Sequence, residues 1–69
     1  MKITTTAVGH GPVPGTQNTQ FAVSVEFDES PINCITFSVT IASAGAPQDQ
    51  ETRAIAKAKK LARAFADQA

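Results

Sequence analysis

The single histidine of the chain is the residue best suited to proton transfer, because imidazole readily gains and loses a proton near neutral pH. His10 lies in the segment Gly-His-Gly-Pro-Val-Pro-Gly, whose composition predicts a loop. No motif places a serine, aspartate or cysteine beside it. The segment also lacks the Gly-Lys-Ser/Thr ending of a phosphate-binding loop, and its prolines remove N–H donors. His10 is therefore a candidate binding residue in a loop, with no predicted catalytic role.

One cysteine and one pair of adjacent carboxylates are the other side chains with possible chemistry. Cys34 falls within a strand pattern and has no base nearby in the sequence that would activate its thiol. Asp28 and Glu29 are consecutive and open a turn signal that ends at Pro31. One histidine and one cysteine cannot complete a zinc site within one chain. We therefore predict a non-enzymatic protein without a metal or another cofactor.

The charge balance and the lack of long apolar runs argue against several further classes of protein. Six basic and six acidic residues give no net charge, whereas a strongly electrostatic nucleic-acid binder would carry a large positive excess. The lone cysteine cannot form an internal disulfide, and no apolar run typical of a signal peptide follows the N-terminus. No stretch approaches the length of a membrane span. We therefore expect a cytoplasmic protein without a membrane segment.

Three segments have the composition of β-strands. Residues 2–8 are rich in β-branched side chains. Residues 20–28 and 33–42 alternate between apolar and polar side chains, which indicates strands that are buried on one face. The short turn between these two favours an antiparallel hairpin. Their apolar positions are Phe21, Val23, Val25 and Phe27 in one strand, and Ile35, Phe37, Val39 and Ile41 in the other.

A C-terminal helix is predicted over residues 48–68, where strong helix formers follow one another almost without interruption. Pro47 suits the first helical position, since its missing N–H is not needed there. An apolar stripe runs along this helix at helical spacing and consists of Ile55, Ala58, Leu61, Ala62 and Phe65. Residues 9–19, which are rich in Gly and Pro, are expected to form a long loop between the first two strands.

The order of these elements predicts an α+β fold in a single domain, residues 1–69, with a two-layer β-β-β-α architecture. A three-stranded antiparallel meander cannot bury an apolar face alone, so the helix is expected to pack on one face. All four phenylalanines, Phe21, Phe27, Phe37 and Phe65, are then assigned to the core. Because the chain has no Tyr or Trp, no ring remains on which single-stranded nucleic acid could stack.

The predicted fold leaves two polar surfaces as candidates for contact. The outer face of the sheet has short side chains that lose little entropy on docking, so it is either a protein-binding surface or an ordinary solvated face. Its candidate residues are Thr4, Thr6, Ser24, Glu26, Thr36, Ser38 and Thr40. The basic helix face, Arg53, Lys57, Lys60 and Arg63, is either solvated or a patch for an acidic partner. The weakly charged sheet edges could also pair two copies into a homodimer.

The helical segment also resembles part of a known family. Residues 56–66 follow three predicted strands and contain Lys59, Lys60, Ala62 and Arg63. They are similar to the last helix of the double-stranded-RNA-binding domain, which opens with Lys-Lys-x-Ala-Lys and contacts phosphates within an α-β-β-β-α fold. The resemblance implies RNA binding through the basic helix face. The first helix of that family is absent here, and acidic residues occupy the first turn of the predicted helix.

These observations favour a small, non-enzymatic module for protein–protein interaction, whose partner is another protein or a second copy of the chain. Small, neutral, free-standing domains of this build are typical of accessory or inhibitory factors, including those of phages and mobile elements. This analogy concerns size and architecture alone. Double-stranded-RNA binding is the alternative function.

Overall fold

The structure is a computed structural model that describes residues 2–28 and 33–68. Its elements are β1 (Lys2–Pro12), β2 (Asn18–Asp28), β3 (Asn33–Ala42) and α1 (Pro47–Gln68). The strands form an antiparallel sheet in the order β1-β2-β3, and α1 packs against one face of it. The predicted β-β-β-α fold is therefore confirmed. The predicted turn between β2 and β3 follows Asp28, and it lies outside the described residues.

The first strand is longer than the sequence indicated, because it continues from residue 8 to Pro12. The register between β1 and β2 shifts between Gly9 and Gly11, so His10 is the extra residue of a β-bulge. Gly11 has a φ of 93°, a conformation that glycine adopts without steric cost. A bulge bends an edge strand without ending it. The prediction that His10 lies in a loop is therefore wrong, since it lies within edge strand β1.

A tight turn, rather than a long loop, connects β1 to β2. The backbone N–H of Thr16 donates to the carbonyl of Val13 at 3.2 Å, and Gly15 has a φ of 77°. Proline at the second position and glycine with positive φ at the third are typical of a type II turn, as Pro14 and Gly15 are here. The N–H of Val13 also donates to the carbonyl of Asn18 at 2.9 Å and closes the hairpin. The Gly/Pro-rich segment therefore encodes a bulge followed by a tight turn.

The core lies between α1 and one half of the sheet. The register pairs Ile3 with Phe27 and Ala7 with Val23, so the odd-numbered residues of β1 share the inner face with the apolar residues of β2. The buried residues are Phe21, Val23, Val39, Ile41, Ala54 and Ala58. Because the two helical residues are alanines, α1 can approach the sheet closely over its first half.

The core does not extend along the whole helix. Leu61 is 42% exposed and Phe65 is 71% exposed, although both lie on the stripe that contains the buried Ala54 and Ala58. The prediction that all four rings and the whole stripe are buried is therefore wrong for the second half of α1. A β-sheet twists, whereas a helix is nearly straight, so one helix stays in contact with a long sheet over part of its length.

The bulge predicts opposite effects for alanine at two neighbouring glycines. Gly11→Ala should lower the free energy of unfolding by about 1–2 kcal/mol, because alanine is strained at positive φ. Gly9 is the control, since a Cβ there would meet the ring of Phe21 at an ordinary contact distance of 3.5 Å. Gly9→Ala should leave stability unchanged or raise it by up to about 1 kcal/mol. Urea unfolding followed by circular dichroism measures both, and equal losses would contradict the assigned bulge.

Candidate functional site

The residues predicted for the outer face of the sheet do lie together. The register aligns Thr6 with Ser24 and Ser24 with Thr36 across the three strands. The hydroxyl oxygens of Ser24 and Thr36 are 3.3 Å apart, within hydrogen-bond distance. Ser24 is half-buried, the other predicted residues of this face are exposed, and no described element covers them. The outer face is therefore a continuous surface of hydroxyl groups with Glu26 at one end.

Cys34 and His10, the two side chains whose types suit a nucleophile and a base, lie far apart in the structure. Cys34 is exposed on β3 and pairs with Glu26, whereas His10 lies in the bulge of β1 beside Gln20 and Phe21. These positions are about five residues apart along β2, which corresponds to roughly 17 Å. The thiol and the imidazole are therefore too far apart to act as a nucleophile and its base.

The basic helix face is divided into two pairs of side chains. Arg53 is half-buried, and its guanidinium donates to the carbonyls of Ala44 and Asp49. The Nζ of Lys57 donates to the carbonyl of Thr40 at 2.5 Å. Arg53 and Lys57 thus hold α1 against β3 and the segment that follows it. The other pair, Lys60 and Arg63, is exposed, as Lys57 is, but donates to no carbonyl among the described residues.

An apolar groove opens between α1 and the inner face of the sheet, and the sequence analysis did not predict it. We call it the open groove. It encloses about 270 Å³ and is lined by Ile3, Thr5, Val23, Val25, Phe27, Phe37, Ile55, Ala58, Lys59 and Ala62. Thr5 and Lys59 are its two polar lining residues. The groove therefore continues the core into a region that no described element covers.

Two apolar side chains of α1 stand beyond the groove, and we call them the exposed ridge. Leu61 and Phe65 are four residues apart, so they lie one above the other on the same side of the helix. Among the described residues, five large apolar side chains are exposed: Ile3, Val8, Ile35, Leu61 and Phe65. Four of them belong to the inner face of the sheet or to the ridge, and Val8 lies on the outer face. Exposed apolar surface is thus concentrated around the groove.

The signal for this groove was present in the sequence as a mismatch of sizes. On one side of α1, positions 54 and 58 are alanines and the next positions, 61 and 65, are larger, while Ile55 and Ala62 lie beside this row and line the groove. Small side chains let a helix lie close to a sheet. Large side chains either increase the distance between helix and sheet or remain exposed because they do not fit between the two. Periodicity identifies the stripe but not the point at which the helix leaves the sheet, so the sequence alone did not locate the groove.

Comparison with known proteins supplies no relative. No protein-family model matches the chain, and no curated protein and no solved structure matches it. Within residues 2–28 and 33–68, no group of His, Cys, Asp or Glu is placed to hold a metal ion. The same residues contain no helix with both the length and the apolar character needed to cross a membrane.

The division of the basic face predicts different effects for two arginine substitutions. Arg53→Met keeps the aliphatic part of the side chain but removes the bonds to two carbonyls, so the free energy of unfolding should fall by about 1 kcal/mol. Arg63→Met, the control on the same helix, should change it by less than about 0.5 kcal/mol. Thermal or urea unfolding measures both. Equal effects would show that Arg53 does not anchor the helix.

Proposed function

We propose that the chain is a small protein-binding module without catalytic activity, and that it binds through the open groove and the exposed ridge. The observation that carries this proposal is the exposure of Phe65, a large aromatic side chain on the same stripe as two buried alanines. Burying apolar surface releases about 25 cal/mol for each Å² removed from water. Aromatic side chains that remain exposed beside an apolar groove are therefore suited to association with another surface.

The character of the groove favours a polypeptide over a small molecule. Sites for small molecules are usually about 300–1,000 Å³ and contain several polar groups that orient the ligand. The open groove is smaller than this range and has Thr5 and Lys59 as its polar lining. A groove of this kind suits the apolar side chains of a helix or a strand, which need contact area rather than specific hydrogen bonds.

The groove is also favoured over the outer face of the sheet, which the sequence suggested. Hydroxyl side chains such as Thr6 and Thr36 remain well solvated, so covering them with a partner gives little hydrophobic gain. The groove and ridge expose apolar side chains instead, and covering these gives a large one. The outer face stays a second contact surface in this proposal, and the variants below distinguish the two.

Double-stranded-RNA binding receives less support from the geometry. Arg53 and Lys57 donate to backbone carbonyls, so Lys60 and Arg63, with the neighbouring exposed Lys59, are the cations of the described helix that remain open to a ligand. Asp49 lies in the first turn of α1, where it would repel a phosphate. Affinity for nucleic acid grows with the number of phosphates neutralised, so these few cations give weak binding. A role as an accessory or inhibitory factor of a phage or mobile element stays a prediction from size and architecture.

The proposal predicts which substitutions abolish binding to a protein partner. Ala62→Glu places a carboxylate in the wall of the open groove and should abolish retention of any partner, because binding would bury an unpaired charge. Thr36→Arg on the outer face should leave retention unchanged. The measurement uses the immobilised chain and its variants, with cell extract and the purified untagged chain as the two sources of partner.

A third variant controls for the added charge. Ala56→Glu adds the same carboxylate to an exposed position of α1 and should retain the partner like the unmodified chain. Circular dichroism confirms that each variant is folded before binding is compared. Loss of retention with Thr36→Arg but not with Ala62→Glu would assign binding to the outer face. Absence of any retained polypeptide would contradict the proposed function.

A further inference from the structure

We infer that the open groove is filled by a second copy of this chain, in a two-fold dimer in which the exposed ridge of each copy packs into the groove of the other. This inference rests on the proposed function and names its partner. Both halves of the contact, an apolar concave surface and two protruding apolar side chains, are present on one chain.

The first argument is that the groove and the ridge lie at the same end of the molecule. Burial decreases along β2 from Phe21 and Val23 to Val25 and Phe27, which are half-buried. It decreases in the same direction along α1, towards Phe65. A two-fold interface uses the same patch on both copies and must be complementary to itself. A patch that contains both the groove and the ridge meets that requirement, because the ridge of each copy can pack into the groove of the other.

The second argument is the amount of surface that the chain exposes. A folded monomer of 7.2 kDa is expected to expose about 4,100 Å², whereas this chain exposes 5060 Å². Its radius of gyration is 13.1 Å, against about 11 Å for a compact domain of this length. The excess is about 960 Å², and a stable interface buries about 800 Å² on each partner. The surplus of exposed surface is therefore at least as large as the area that each copy buries in a stable dimer.

The other route to a homodimer, pairing of sheet edges, is partly obstructed on both sides. β1 has the bulge at His10 and ends at Pro12, and both features interrupt a regular ladder. On β3, the carbonyl of Thr40 accepts a hydrogen bond from Lys57. Edge pairing would also leave the open groove and Phe65 in water. We therefore assign the contact to the groove, and edge pairing becomes an outcome that the experiment can detect.

Sedimentation equilibrium of the purified full chain over a range of concentrations tests the inference. The unmodified chain should show about twice the mass of 7.2 kDa and dissociate on dilution. Phe65→Glu should raise the dissociation constant by at least about 30-fold, because it removes a central aromatic contact and adds a charge. Phe65→Leu keeps an apolar side chain and should remain dimeric. Ala56→Glu lies on the opposite side of α1 from Phe65 and is the charge-matched control.

Each outcome decides the inference. A dimer that weakens with Phe65→Glu and persists with Phe65→Leu and Ala56→Glu supports it. A dimer that Phe65→Glu leaves intact overturns it in favour of the sheet edge or the outer face. A chain that is monomeric at all concentrations also overturns it. If that monomer still retains another protein in a manner sensitive to Ala62→Glu, the proposed function stands and only the identity of the partner is wrong.

Discussion

The apolar inner face of the sheet is longer than the contact that one helix makes with it, and this constraint determines the rest of the molecule. Where Ala54 and Ala58 bring α1 close to β2 and β3, Val23 and Val39 are almost fully buried. Towards the other end, Leu61 and Phe65 of the helix and Ile3 of the sheet are exposed, so the same apolar pattern reaches solvent. The sequence supplies three strands and a single helix, so it has no further element among the described residues with which to cover this end.

Several polar contacts among the described residues lie at the end of the molecule where α1 begins, opposite the open groove. Lys57 and Arg53 bind carbonyls of β3 and of the segment after it. The hydroxyls of Thr19 and Ser43 lie 2.5 Å apart, and the N–H of Ser43 donates to the carbonyl of Gln17. These bonds fix the first half of α1 and the β1–β2 turn to the sheet. The molecule therefore joins a well-anchored half to a half that exposes apolar side chains.

Alternation and helical periodicity were sufficient to predict the fold, because both depend on local geometry alone. They placed β2, β3 and α1 to within about two residues of their observed bounds. They did not predict the extension of β1, since composition cannot distinguish a Gly-rich bulge from a loop. The groove and the exposure of Phe65 depend on where a straight helix separates from a twisted sheet. That separation is a property of the packed layers, so assigning every ring to the core from its apolar character alone was wrong for Phe65.

The central claim, that the inner face is incomplete in one chain and is covered by association, can be tested with two methyl-bearing residues of the same strand. Ile3 and Val8 are similarly exposed, at 56% and 53%, but they lie on opposite faces of β1. In a dilution series followed by methyl NMR, the account predicts that the Ile3 and Leu61 signals shift with concentration while the Val8 signal stays constant. A series in which Ile3 is constant, or in which Val8 shifts as much as Ile3, would contradict it.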